Sequence, residues 1–359
     1  MKIAILSMYS GLIDRGVETW TREMASRLYE RGHEVVVFQG GEDENRRYKK
    51  IVVKQQIFWN VRDAENPILS LLVSPYWGLL VFFFTLNFLL YLIKLRPNIV
   101  LPTNGGFQTF TIRILTWILG SKMVLTGHAG IGASDKWNFL ARPDYFVSPS
   151  RRGEKWAKSL VIAKGISVTY IPHGVDLKKF SPEVRKIEID LERPIILCVS
   201  SFENFKRVDL AVRTIARLKK GSLLILGGEH NEDGLDNYAQ KILGKRYLKI
   251  KAKPSEMPSY YVSSDVFTLP SDETEAFGIV YLEAMACGLP VVATDDELRR
   301  EIIGEAGILI DPADTESYAA ALKKALNTNW GDIPRKQAEK FNWDRIVSDY
   351  EKLFSTLLK

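Results

Sequence analysis

The sequence predicts an α/β protein made of two doubly wound domains with parallel sheets. Short apolar strands alternate with helical stretches from end to end, the pattern of a parallel sheet covered by helices. At 359 residues the chain is long for a single core, so two domains of about 150–200 residues each are expected. A second strand and helix series begins near residue 194, after the joint IPHGVDLKKFSPE.

The elements follow in order. The first series reads as strand 2–7, helix 17–31 ending at Gly32, strand 34–39, strand 48–55, a long apolar helix over about 68–94 and strand 98–103, with further units at 107–119, 122–128, 144–150 and 151–165. The second reads as strand 194–201, helix 206–220, strand 223–228, helix 233–243 and strand 247–253. Within 265–294, VFTLP has the character of a strand buried on both faces. GIVYLEAMA reads as a helix stopped by Gly288, and PVVAT as a second buried strand. Strand 307–311 and helices 315–328 and about 332–357 complete the pattern.

Charge is split unevenly. Residues 1–164 carry 22 Lys and Arg against 13 Asp and Glu, while residues 165–359 carry 27 against 30. A basic first half fits an anionic surface or substrate. Nucleic acid is not expected, because no nucleic-acid motif occurs and the basic residues are not interleaved with aromatics. Cys198 and Cys287 both sit in apolar segments, as buried thiols of a reducing compartment do. Met1 is followed at once by the strand KIAILS, so no signal peptide is expected. The run Ile68–Ile93 has no charge and is long enough to cross a bilayer. A crossing would separate strands 2–7 and 98–103, which belong in one sheet. That leaves a buried helix or one lying in the lipid interface, and Tyr76, Trp77 and Phe82-Phe83-Phe84 favour the interface.

Two carboxylates stand eight apart in the 265–294 segment. Glu275 falls in the loop before the helix, and Glu283 falls inside it among Ile279, Val280, Leu282 and Met285. A glutamate in apolar company needs a partner. From the residues alone the pair is either a grip for a hydroxyl-rich ligand or a core ion pair beside a solvated loop. Asp295-Asp296-Glu297 and Glu42-Asp43-Glu44 read as solvated surface runs, and no metal is assigned to them. A nicotinamide dehydrogenase is excluded, since SMYSGLIDRG after the first strand lacks the tight glycine turn that a pyrophosphate requires.

Several ordered motifs resemble the retaining glycosyltransferases of family 4. KIAILS with RGVETWTREMASRLYERGHEVVVF resembles the opening of that family, and VSPSRRGEKWAK with IPHGVDLKKFSP its interdomain segment. ETEAFGIVYLEAMACGLPVVATD resembles its donor-site signature, and FNWDRIVSDYEKLF its closing helix. The resemblance implies the GT-B fold, two Rossmann-like domains facing a cleft. It divides the chain into an acceptor-side domain, 1–172, and a nucleotide-sugar donor domain, 173–342, with helix 343–359 packing back on the first. It also implies transfer of a sugar from a UDP- or GDP-linked donor with retained configuration and without a metal or other cofactor.

By the same resemblance Lys206 is one of a phosphate-binding pair, Glu275 contacts donor-sugar hydroxyls and Glu283 the nucleotide ribose. Ala276, Phe277, Gly278 and Ile279 belong to the loop whose backbone approaches the donor. His128, in LTGHAG, lies beside the reacting sugar. Gly16 and Glu18 lie where the first loop meets phosphates and acceptor, and His173-Gly174 at the hinge and cleft floor.

The sequence also departs from the family. Ser200-Ser201 stands where a glycine–arginine pair is usual, which removes one expected diphosphate cation, and Arg207, Arg299 and Arg300 are the candidates to replace it. Glu297-Leu298 stands where two glycines are common, and Arg15 where the first glycine of the opening loop is expected. The expected function is a glycosyltransferase acting on a lipid-linked or glycan acceptor at the cytoplasmic membrane face, with peripheral membrane contact through 68–93. A sugar-nucleotide epimerase of similar architecture and a non-catalytic homologue are the alternatives.

Overall fold

The computed structural model describes residues 1–13, 15–43, 47–54, 70–200, 203–227 and 233–359. Ser201, Glu44 and residues 68–69 lie outside them. The chain divides into two compact units, Met1–His173 with Trp343–Lys359, and Gly174–Asn342.

The first unit holds a seven-stranded sheet. Its strands are β1 (Lys2–Ser7), β2 (Glu34–Gln39), β3 (Lys49–Val52), β4 (Ile99–Pro102), β5 (Lys122–Thr126), β6 (Tyr145–Ser148) and β7 (Ser167–Tyr170). They run in the order β3-β2-β1-β4-β5-β6-β7, and every pairing is parallel. Central strands covered on both faces read as unbroken apolar runs, as Ile3-Ala4-Ile5-Leu6 does.

On one face lie α1 (Gly16–Glu30) and α13 (Trp343–Leu357), which bring Trp20, Met24, Leu28, Trp343, Tyr350 and Phe354 onto the sheet. Arg31, just past α1, donates to Glu351 Oε2 at 2.7 Å and Ser348 Oγ at 2.9 Å, tying α13 to this unit. On the other face lie α2 (Ser70–Leu95) and α3 (Phe107–Leu119), contributing Phe84, Phe88, Leu92 and Ile112. The short α4 (Ala133–Asn138) follows β5, and α5 (Arg151–Ser159) follows β6, N-capped by the Ser150 hydroxyl.

The second unit holds a six-stranded parallel sheet in the order β10-β9-β8-β11-β12-β13. The strands are β8 (Ile195–Val199), β9 (Ser222–Leu226), β10 (Tyr247–Ile250), β11 (Val266–Leu269), β12 (Val291–Thr294) and β13 (Gly307–Ile310). Its helices are α6 (Val208–Ala216), α7 (Asp233–Leu243), α8 (Met257–Ser263), α9 (Ile279–Ala286), α10 (Glu297–Ile303), α11 (Thr315–Asn327) and α12 (Ile333–Glu339). A single core runs through this unit, with Leu197, Phe267, Tyr281 and Met285 inside it.

Two sequence expectations are corrected. The single helix over 332–357 is two, α12 and α13, because the backbone at Phe341 leaves the helix to accept from the Val175 N–H at 2.9 Å. The helix expected to start at 206 starts at Val208, since Arg207 adopts φ 48° and separates α6 from a single 3-10 turn over Asn204–Lys206. Helix α2 has one buried face and one outward face. Val81, Phe84, Phe88 and Leu92 face the sheet, while Leu79, Phe83, Leu86, Leu90 and Ile93 face outward.

Candidate functional site

In the second sheet β8 leads outward to β9 on one side, while β11 lies on its other side, so the chain reverses its winding between β8 and β11. Loops at the carboxyl ends of two such strands diverge and leave a crevice, the usual ligand site of doubly wound sheets. Lys206 follows β8 and Glu275 follows β11, and the two loops are joined by the Asp272 N–H donating to the Phe205 carbonyl at 2.8 Å. The Lys206 ammonium donates to Glu275 Oε2 at 2.6 Å, with the two side chains only 14% and 8% exposed. The phosphate cation and the sugar carboxylate named from the sequence are thus direct partners.

The loop between Glu275 and α9 is shaped by Gly278. Its φ of 82° is left-handed, and a Cβ there would come within 2.5 Å of the Tyr281 ring. Tyr281 cannot yield, because its hydroxyl donates to the Leu269 carbonyl at 3.0 Å and pairs with Ser271 Oγ at 2.9 Å. Phe277 is buried in the core, Ile279 packs against it, and Ala276 is half-buried. The Phe277 side chain is therefore an anchor, and the loop's polar equipment is its backbone. Glu283, inside α9, accepts from the Tyr261 hydroxyl at 2.8 Å, so the partner that a glutamate in apolar company requires is present.

The three candidates for the missing phosphate arginine are all engaged elsewhere. Arg207 donates through Nε to the Pro270 carbonyl at 2.8 Å and through Nη2 to Thr294 Oγ1 at 3.2 Å. Arg299 is fully buried; it pairs with Asp296 and donates to Ser271 Oγ at 2.8 Å and the Asp272 carbonyl at 2.6 Å. Arg300 is exposed and holds Asp295 through both carboxylate oxygens, at 2.6 and 2.9 Å. The unusual TDDELRRE stretch has its own logic. Asp296 N-caps α10 by accepting from the Arg299 N–H, and Leu298 is buried in the core. The residues in place of the family glycines therefore anchor a helix. In the acidic run Asp295 and Asp296 are engaged by these two arginines and the cap, while Asp295 and Glu297 stay exposed as a surface run does.

Gly16, Glu18 and His128 lie in the other unit. Gly16 opens α1, and Glu18 is buried in its first turn. The first sheet reverses its winding between β1 and β4, and a cavity of about 210 Å³ opens at that end, lined by Val17, Asn104, Thr126, His128, Asp135 and Asn138 among others. The His128 ring meets the edge of Trp20 at 4.8 Å and stacks on His173 at 5.6 Å. Burial lowers its pKa to about 3, which makes it a neutral imidazole near pH 7, and its Nε2 has no hydrogen-bond partner among the described residues. His173 is pushed well below the usual value, first by burial and then by His128. A neutral imidazole and a carboxamide suit hydroxyl recognition better than anion binding.

Asp135 was not singled out in the sequence, and neither were Asn104 and Asn138. Burial pushes the Asp135 carboxyl up to about 7 against the opposing pull of the Ala129 N–H, Asn138 and the Gly130 N–H, which bond to it. It thereby straps the loop that follows His128. Gly127 must be small for the same reason, since a Cβ there would stand 2.9 Å from the Phe146 ring and 3.2 Å from Asp135 Oδ2. The available signal was positional: Asn104 lies just past β4, and Asp135 and Asn138 lie in α4, the first helix past β5, at the strand ends where doubly wound sheets bind ligands.

Comparison with known proteins joins these observations. The profile described as Glycosyltransferase Family 4 matches residues 15–179, and that described as Glycosyl transferases group 1 matches residues 180–342. Curated relatives include sulfoquinovosyl transferase SQD2 of Arabidopsis thaliana, 29% identical over 70% of this chain and 55% of that protein. A GDP-mannose-dependent alpha-(1-6)-phosphatidylinositol monomannoside mannosyltransferase of Mycolicibacterium smegmatis is 28% identical over 45% of this chain and 47% of that one. The chain thus spans about half the length of the curated relatives it matches. Among solved structures, sucrose-phosphate synthase of Thermosynechococcus elongatus superposes with a TM-score of 0.76 at 21% identity, covering 99% of this chain and 98% of that one. Anabaena HepE, solved with UDP and glucose, gives 0.75 at 14% identity over 99% and 100%. With two consecutive profiles covering residues 15–342 and two doubly wound parallel sheets beneath them, the chain belongs to glycosyltransferase family 4 and has the GT-B fold.

Proposed function

We propose that the protein transfers a sugar from a UDP- or GDP-linked donor to a lipid-linked or glycan acceptor at the cytoplasmic membrane face, with retention of configuration and without a metal. The observation that carries this reading is the Lys206–Glu275 pair at the reversal point of the second sheet. As the bond from the anomeric carbon to the phosphate oxygen breaks, its electron pair passes to the diphosphate, and a nearby ammonium lowers the energy of that charge. Lys206 supplies it. Glu275 accepts hydrogen bonds from the donor-sugar hydroxyls and Glu283 from the ribose, while the backbone of 276–279 lies along the donor. In the other unit His128 and the polar cavity beside it receive the acceptor hydroxyl, with Gly16 and Glu18 at the mouth of the first loop.

The names of the relatives support the donor class, since one of them is GDP-mannose-dependent and a structural neighbour was solved with UDP-glucose. The test is donor binding by thermal shift followed by turnover with membrane lipid acceptors. A true donor stabilises the folded protein by mass action, by about 2.7 kcal/mol at a hundred times its Kd. Failure to bind or hydrolyse any UDP- or GDP-sugar, with or without lipid, would overturn the reading. It would also favour the non-catalytic homologue, for which the engagement of Arg207, Arg299 and Arg300 elsewhere is the specific support.

A further inference from the structure

Helix α3 is packed with its polarity reversed. Its buried side includes Gln108, Thr109 and Thr116 beside Ile112 and Leu115, while Phe107, Phe110, Ile114, Trp117 and Ile118 are exposed. These exposed positions recur at three- and four-residue spacing and form one stripe along the helix. The exposure is large, 63% for Trp117 and 74% for Ile118. Helix α2 presents a parallel stripe of Leu79, Phe83, Leu86, Leu90 and Ile93, and the two helices touch where Phe82 and Phe107 lie 4.5 Å apart. Ten large side chains about half exposed give an apolar face on the order of 900 Å², above the ~300–600 Å² of the largest patch on an ordinary soluble monomer.

The charge around this face selects its partner. From Asn66 to Ser134 the sequence contains no Asp or Glu, and its charged residues are Lys94, Arg96, Arg113 and Lys122. Lys94 and Arg96 stand exposed at the end of α2; Arg113, 4.8 Å over the Trp117 ring, is mostly buried and paired with Asp144 at 2.5 Å, and Lys122, after α3, is partly exposed with Asp144 3.9 Å away. A symmetric pairing of two copies would bring together two faces whose exposed cations Lys94 and Arg96 stand at the end of α2, which like charge opposes. An anionic bilayer meets both needs: apolar side chains enter the acyl boundary, the cations meet headgroups, and Trp117 and Tyr91 suit the level between. Crossing is opposed, because Phe84, Phe88 and Leu92 are committed to a sheet in which β3 and β4, the strands before and after α2, both lie.

We propose that the outward faces of α2 and α3 together form an in-plane docking surface for an anionic lipid bilayer. The inference deepens the membrane-face reading above and rests on it only for its biological purpose. The test is flotation of the full chain with vesicles of phosphatidylcholine, alone and with phosphatidylglycerol added. Wild type is expected to float, more strongly with the anionic lipid and less as salt rises. Ile114→Glu with Ile118→Glu should cut partitioning at least about tenfold while leaving circular dichroism and donor hydrolysis unchanged. Lys94→Gln and Lys122→Gln should each cut the anionic-lipid gain about fivefold. A wild-type chain that stays with the soluble fraction, or a double glutamate variant that floats like wild type, overturns the proposal. So does a stable dimer dissolved by the same double variant. A protein that floats but turns over no donor leaves this surface standing and removes the enzymatic reading.

Discussion

At the strand ends of the C-terminal unit charge is answered by charge: Lys206 by Glu275, Arg299 by Asp296, Arg300 by Asp295. At the corresponding end of the N-terminal unit the ionisable groups are instead driven toward neutrality, with His128 at about 3 and Asp135 at about 7. The surfaces differ as well. Of nineteen exposed large hydrophobic residues among those described, only Ile187, Ile242 and Ile333 belong to the C-terminal unit. A dianionic diphosphate needs fixed charge and water at its rim, whereas an acceptor hydroxyl presented beside a membrane needs neutral hydrogen-bonding groups and an apolar apron. Under the proposed transfer reaction, the contrast would divide labour between donor and acceptor.

Breaking the charged side of that contrast should have the largest effect. Arg299→Ala strands Asp296 and two backbone carbonyls in a buried site and is expected to cost about 3–5 kcal/mol by chemical denaturation. A loss below about 1 kcal/mol would mean that the network is not structural. Next comes Glu275→Ala, with transfer expected to fall by about 10²–10³ while the fold survives. A rate within threefold of wild type would refute the sugar-binding role.

The neutral side is sharpened by pH. A carboxyl whose native pKa is raised contributes stability that is full below its ordinary value near 3.8 and is lost as pH rises to about 7. The lowered pKa values of His128 and His173 act oppositely, and their contribution is lost as pH falls below 6.5. Asp135→Asn removes only the first component. The variant should therefore gain on wild type between pH 4 and 7, by about 4 kcal/mol, and hold that gain above pH 7. Parallel melting curves across that range would show that Asp135 does not titrate there. The smallest expected effect is Lys206→Ala, which should raise the donor dissociation constant about tenfold. If titration calorimetry finds donor affinity unchanged, the phosphate contact belongs to another group.

Much of this was legible in the sequence, and the illegible parts share a cause. The strands were readable because a parallel strand covered on both faces is an unbroken apolar run, as in β1 and β12. Glu275 and Glu283 were readable as a loop and a helix position because Gly278 and Gly288 punctuate the segment. Short helices such as α8 and α10 were missed, since seven residues carry too little periodicity to separate from a loop. The break at Phe341-Asn342 was missed because it is made by Val175, more than 160 residues away in sequence. The fate of the three arginines was equally hidden, since a spacing identifies a cation but not the carbonyls that will occupy it. In α3 the apolar period is the same whichever stripe is buried, so FQTFTIRILTWIL cannot reveal that Trp117 and Ile118 face out.

The Lys206–Glu275 contact sets a limit on redesign. With the donor roles proposed above, recoding Glu275 to admit a different sugar would also release the ammonium that the carboxylate holds at 2.6 Å, and so alter the grip on the nucleotide end of the same molecule. Sugar choice and nucleotide affinity are then traits that a single substitution cannot vary separately, and the effects of changes at 206 and 275 will not simply add. A library that randomises both positions together is the appropriate search space, and screens that vary one at a time will discard sugar-switching variants as weak binders.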